Sequence, residues 1–216
     1  MTDPARSAEA DLAFLRSVVS GAGPQGHFTM GVAYLAGGLL YGFQCLFHVG
    51  QAVGWINWPG LATLIFVSSI TIAMIGILIW AAREDRKGPR PGPMVTRTLN
   101  AAFSATGMVN LAVILVFGMG AMRDHDFAVW LYYPAMVFAV QAAAWWVAWS
   151  LRRSMWMLAT SLGGLATAVA LGLLVREPVA YLFVCTLALF GLFAAPGWVM
   201  LSGALKARAA IGGQVG

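Results

Sequence analysis

The chain has 216 residues, of which 60% are hydrophobic and only 10% charged, with a mean hydropathy of +0.79. Soluble domains carry about 25% charged residues, so a single water-soluble core of this size is excluded and lipid has to cover the apolar excess. The net charge of +5 does not point to nucleic acid, because the basic residues sit in short loops beside apolar stretches, where they set orientation and meet anionic lipid headgroups.

Residues 1–27 carry Asp3, Glu9 and Asp11 and have no apolar h-region, which excludes a secretory signal peptide. Within them, 4–20 places Leu12, Leu15, Val18 and Val19 on one helical stripe, with Asp3-Pro4 and Ser7 as start signals. This pattern predicts a short amphipathic helix lying on the cytosolic leaflet or docked on a partner.

A membrane-crossing helix needs about 20 apolar residues. Six stretches qualify, at about 28–50, 60–82, 99–122, 127–151, 156–176 and 179–205, leaving 206–216 as a cytosolic tail. The predicted fold is an all-α integral membrane protein: a six-transmembrane-helix bundle built of three hairpins, preceded by the amphipathic helix. Trp80-Ala81-Ala82-Arg83 and Trp149-Ser150-Leu151-Arg152 close two of the hairpins alike, a match too short to establish a repeat.

Span one carries the best polar cluster. Tyr34, Gly38, Tyr41, Cys45 and His48 recur at steps of four and three and share a face, with Gln44 beside it. Such a face turns toward protein or water rather than lipid. Gly38 and Gly42 allow close helix approach. Between spans two and three, Arg83 to Arg97 is basic, with Pro89, Pro91 and Pro93, and is expected to be extended and in contact with headgroups through Arg83, Arg86, Lys87, Arg90 and Arg97. In span three, Asn110 lies deep, with Thr106 on the same face. Gln141 lies at mid-depth in span four, above Trp145 and Trp149. Each amide needs a partner, since an unpaired amide in hydrocarbon is costly. Tyr34, Tyr41, Gln44, Cys45, Asn110 and Gln141 are therefore candidates for lining a small polar cavity.

The turn after span three offers Met119, Met122, Asp124, His125 and Asp126. Thioether and imidazole suit copper, imidazole and carboxylate suit zinc, and His48 reaches the same end; no recognised ligand spacing is matched. Arg152 and Arg153 follow span four. Small residues are spaced by four in span four (Ala135, Ala139, Ala143) and span five (Thr160, Gly164, Ala168, Gly172). Pro196-Gly197 interrupts span six, where a proline removes one backbone hydrogen bond and is expected to kink the helix. Cys45 and Cys185 fall about 8 Å inside the same end of spans one and six; they meet only if those spans are neighbours.

Lys and Arg divide eleven to two between alternate loops: Arg123 and Arg176 stand alone on one side. The positive-inside rule then places both termini in the cytosol. Terse loops and an Ala- and Gly-rich composition fit a bacterial inner membrane. No Ser-His-Asp set, phosphate-cradling glycine loop, His-Glu-x-x-His or Cys-x-x-Cys-His occurs, and His27 and His48 lie at opposite ends of one span, so no cofactor is implied. Three readings of function follow. The first is a non-catalytic regulatory, sensor or accessory subunit, with a membrane partner or a second copy of itself. The second is a transporter or channel for a small neutral or apolar solute. The third is an outer-face metal or redox protein.

Overall fold

The computed structural model describes residues 28–86 and 94–212. The amphipathic segment 4–20, Lys87, Arg90, the three spaced prolines and the Arg97 side chain all fall outside the described residues. The described chain is all-α: α1 (Phe28–Ala52), α2 (Gly60–Arg86), α3 (Met94–Asp124), α4 (Phe127–Arg152), α5 (Met155–Leu173), α6 (Pro178–Ala188), a π-helical segment (Leu189–Ala194) and α7 (Ala195–Gly212). The last three form one continuous rod, so six helices are long and apolar enough to cross a bilayer.

The helices outrun their apolar windows at the Arg-rich end. α2 continues through Arg86 and α3 begins at Met94, so the expected extended segment from Arg83 to Arg97 is helical at both its ends. Ala81, Ala82, Arg83, Glu84 and Arg86 are mostly good helix formers, and nothing obliges a helix to stop where its side chains become polar. α5 instead ends early, at Leu173, and α7 runs on to Gly212.

Neighbours follow the order α2, α1, sixth rod, α5, α4, α3. The hairpins α1–α2 and α3–α4 pack as the sequence predicts. The third does not close along its length. α5 touches α6 and the π segment, packs most extensively on α4, and the rod leaves it to run along α1. Glycines make that last contact. A Cβ on Gly31 would stand 2.7 Å from the Leu201 backbone nitrogen; one on Gly197 would run into the Leu35 backbone, and one on Gly38 into the backbone at Leu189 and Ala194.

Gly38 therefore sits on the wide turn of the π segment. This widened turn lies immediately before Pro196, the residue expected to kink the helix. Pro196 has no N–H to close the α-ladder, and its ring would press on the carbonyl four residues back; an i→i−5 turn accommodates both. The buried face of α4 also differs from the predicted Ala135, Ala139, Ala143 stripe. Ala135, Phe138, Ala142 and Trp145 are buried while Ala143 is exposed. In α5, Gly164 faces Ala142, and Gly172 has open space beside it.

Three ties fix the Arg-rich end. Thr29 donates to the Ala81 carbonyl at 3.2 Å. Arg208 pairs with Asp85 at 3.3 Å, and its guanidinium lies 4.0 Å from the centre of the Phe28 ring. Beside them, an open apolar groove of about 660 Å³ runs between α1, α2 and α7, lined by residues including Val32, Leu35, Trp80 and Leu201.

Candidate functional site

Two polar features lie inside the bundle, and α1 contributes to both. The first is a hub around Gln141. Tyr34, on the α1 face that meets the sixth rod and α4, donates its hydroxyl hydrogen to Gln141 Oε1. The Thr106 hydroxyl lies 3.4 Å from the same oxygen and 2.7 Å from the Phe103 carbonyl. Aromatic rings enclose the hub. The Tyr34 ring is stacked on Phe193, with centroids 5.1 Å apart, and meets Phe103 and Trp145 edge-on. Five helices and the π segment thus contribute to one cluster of Tyr34, Leu99, Trp145, Met157, Met200 and Phe193. Beside Gln141, next to Trp145, Thr160 and Leu192, is a cavity of about 10 Å³, about the space one water occupies.

The second feature is a pair of thiols. Cys45 on α1 and Cys185 on α6 stand with their sulfurs 3.8 Å apart, and each is the other's hydrogen-bonding partner. Cys185 is 4% exposed, among Ala135, Phe138, Leu171, Tyr181 and Leu189; Cys45 and Tyr41 pack against this cluster from α1. Tyr181 donates to the Leu131 carbonyl at 2.6 Å, which fixes α6 against α4 there. The sequence-matched depth of the two cysteines becomes a contact because α1 and the sixth rod are neighbours.

The remaining candidates disperse. Gln44 Oε1 and Asn110 Oδ1 are buried without a hydrogen-bond partner, as is the indole nitrogen of Trp145. Thr106, one turn from Asn110, is the α3 residue that reaches Gln141. His48 Nδ1 lies 2.9 Å from Gln51 Oε1, and Gln51 Nε2 donates to Thr63 Oγ1 at 2.8 Å, so this chain links α1 to α2. In the α3–α4 turn each polar residue has a local task. Asp126 caps α4 by accepting from the Ala128 amide at 2.9 Å, Asp124 pairs with Arg123 at 2.7 Å, and His125 takes the left-handed φ of 52° that turns the chain. Met119 and Met122 are 69% and 79% exposed. Among the described residues no three of His, Cys, Asp and Glu gather closely enough to hold a metal ion.

Of the basic residues, Arg83 and Arg86 occupy the last turn of α2 and Arg152 the last turn of α4. Arg153, at φ 53°, ends α4, with its amide bonded to the Trp149 carbonyl and its guanidinium 5.3 Å from the Trp149 ring. The aromatic enclosure of Tyr34 is absent from the sequence expectations. Its members come from α1, α3, α4 and the π segment, and the one readable signal was the Trp145 position one turn below Gln141. Comparison with protein-family models, with curated proteins and with solved structures finds no match.

Proposed function

We propose that the chain is an integral multi-pass membrane protein with both termini on the cytosolic side, acting without catalytic chemistry of its own as a regulatory, sensory or accessory subunit. The observation that carries the membrane reading is the outer surface of the bundle. In α2 only Ile70 and Ala81 are buried, while Leu61, Leu64, Ile65, Ile72, Ile75 and Ile79 are exposed. α3 likewise exposes Met108, Leu111, Leu115 and Val116. Water tolerates exposed apolar patches of only a few hundred Å² on a monomer; lipid covers two whole helices of this kind without penalty.

The interior supports a role without turnover. Two of its deep polar groups hold helices together: Gln141 with Tyr34 and Thr106, and Ser161 with the Ala142 carbonyl at 2.8 Å. The space beside Gln141 is about 10 Å³, too narrow for a solute larger than water. Headgroup contact falls to the Arg-rich end through Arg83, Arg86, Arg152 and Arg153, together with Lys87, Arg90 and Arg97, which lie between them in the sequence. Purification in mild detergent, with stoichiometry of co-purifying chains measured alongside solute uptake by reconstituted vesicles, tests the reading. A stoichiometric membrane partner and vesicles no leakier than empty ones are expected. Saturable uptake by the purified chain overturns the role, and recovery of a stable monomer without detergent overturns the membrane placement.

A further inference from the structure

We propose that Cys45 and Cys185 form a redox-active dithiol that closes to a reversible disulfide between α1 and α6, using a lipid-soluble quinone as electron acceptor. The pair joins two elements 140 residues apart in the chain, and its sulfurs are already in contact at 3.8 Å. Closing to the S–S bond length of about 2.0 Å asks for side-chain rotation at two residues whose helices are already neighbours. The two thiols differ in access: Cys45 is partly exposed, whereas Cys185 is buried in the cluster with Tyr181 and Leu189. Reagent therefore meets Cys45 first, and Cys185 resolves.

The choice of acceptor follows from depth and rests on the membrane reading above. Cys45 lies seven residues before the end of α1 at Ala52, and Cys185 seven after the start of α6 at Pro178. Each is thus about 10 Å from its helix end, inside the apolar zone, where a charged or strongly polar oxidant does not enter. The reaction balances with a quinone. Two S–H bonds break and one S–S bond forms; the two electrons and two protons pass to the quinone oxygens, giving a hydroquinone. The product cross-links α1 to the rod within two helical turns of Gly38 and the π segment, where the two meet backbone to backbone. The redox state of the pair then governs whether α1 and the rod can separate.

The test uses the full chain, purified under reducing conditions in non-denaturing detergent, freed of reductant and treated with duroquinone. After acid quench, denaturation and maleimide alkylation, intact mass is measured. The expected product is a single chain two hydrogens lighter with no maleimide added, formed with one equivalent of duroquinol. Dithiothreitol should restore two alkylation sites, and Cys45→Ser and Cys185→Ser should each form no intramolecular bond and add one maleimide. Two maleimides on quinone-treated wild type, or a disulfide only between chains, overturns the proposal. Oxidation by diamide but not by duroquinone overturns the quinone as acceptor. These outcomes are read in detergent on isolated chains, so they are independent of whether a partner subunit or solute uptake is found.

Discussion

Gln141 is the residue whose neighbours say most about how this bundle is specified. Its amide oxygen serves both Tyr34 and Thr106, and hydrogen bonds between membrane helices are worth about 0.6 kcal/mol on average and up to about 1.7. Tyr34→Phe should therefore destabilise the protein by about 1 kcal/mol, and Gln141→Leu by a similar amount. The double variant should lose less than the sum, with a coupling of at least about 0.5 kcal/mol. Unfolding by a denaturing detergent in mixed micelles measures all three; strictly additive losses would show that the two side chains are not bonded. Gln141 could be read in the sequence as a deep amide needing a partner and Tyr34 as part of the polar face of span one, but their pairing could not. Counted from their shared turn, Asn110 lies 14 residues before Asp124 and Gln141 lies 14 after Phe127, so depth alone matches Asn110 to Gln141. Thr106, about 40° away around the helix, wins because the packing angle of α3 on α4 sets which side chain faces across. A similar distinction applies to the α3–α4 turn, whose Asp, His and Met residues resemble a metal site by type. As a helix cap, Asp126 should tolerate Asn with little loss and lose about 1 kcal/mol on change to Ala, read by thermal unfolding in detergent. A metal dependence that falls equally in both variants would contradict the capping role.

At the level of elements, the decisive contact is α1 against the sixth rod. Gly38 rests on the π turn and Gly197 on the α1 backbone, and in both places a methyl group would strike main chain rather than a side chain able to swing aside. Gly38→Ala and Gly197→Ala should each cost at least about 2 kcal/mol, toward the upper part of the overpacking range. Gly76→Ala and Gly107→Ala, in helix interiors with nothing within 4 Å, should be neutral or gain up to about 1 kcal/mol from reduced unfolded-state freedom. Thermal melts of the four variants in one detergent decide the matter: Gly38→Ala indistinguishable from Gly76→Ala would mean that α1 and the rod do not approach as closely as described. Close approach at Gly38 and Gly42 was legible from the four-residue spacing. The π turn was not, because Pro196 announces only that a ladder bond is missing. Whether the helix answers by bending or by admitting an extra residue depends on what packs there, and here it is the bare backbone of Gly38. The α4 stripe was misjudged for a related reason. Alanines are small enough to sit on either face, and the large residues Phe138 and Trp145 decide which face is buried.

For the whole molecule, the strongest asymmetry in the sequence is that alternate loops divide the thirteen Lys and Arg eleven to two. The fold is compatible with it. Arg83, Arg86 and Arg152 stand in the last turns of their helices on one side, where Arg208 pairs with Asp85, while Trp55, Trp58, Arg123 and Arg176 mark the other. The six spans and their order along the chain were readable because hydrocarbon thickness imposes a length and charge imposes a boundary. The order of helices in space was not, since lipid-facing and protein-facing apolar surfaces have the same composition. That is why the peripheral positions of α2 and α3, and the pairing of the rod with α1 rather than α5, had to come from the structure. The orientation itself can be tested on the intact protein. In a Cys45→Ser, Cys185→Ser background, Lys87→Cys, between α2 and α3 in the sequence, should react with an impermeant maleimide only after the membrane is opened, and Gly54→Cys in the opposite turn should react in sealed cells. Gly54 has a φ of 84° with nothing within 4 Å, so some local strain accompanies that change; Trp55→Cys, at an 83% exposed position, provides a second reporter. Because Lys and Arg near the span ends, rather than acidic residues, set the orientation, replacing Asp85 by Asn should leave the labelling unchanged. Reaction of Lys87→Cys in sealed cells, with Gly54→Cys and Trp55→Cys both protected, would invert the molecule and place its cationic end against the outer leaflet. The basic residues would then face the wrong surface for the anionic cytosolic headgroups, and the cytosolic placement of both termini would be overturned.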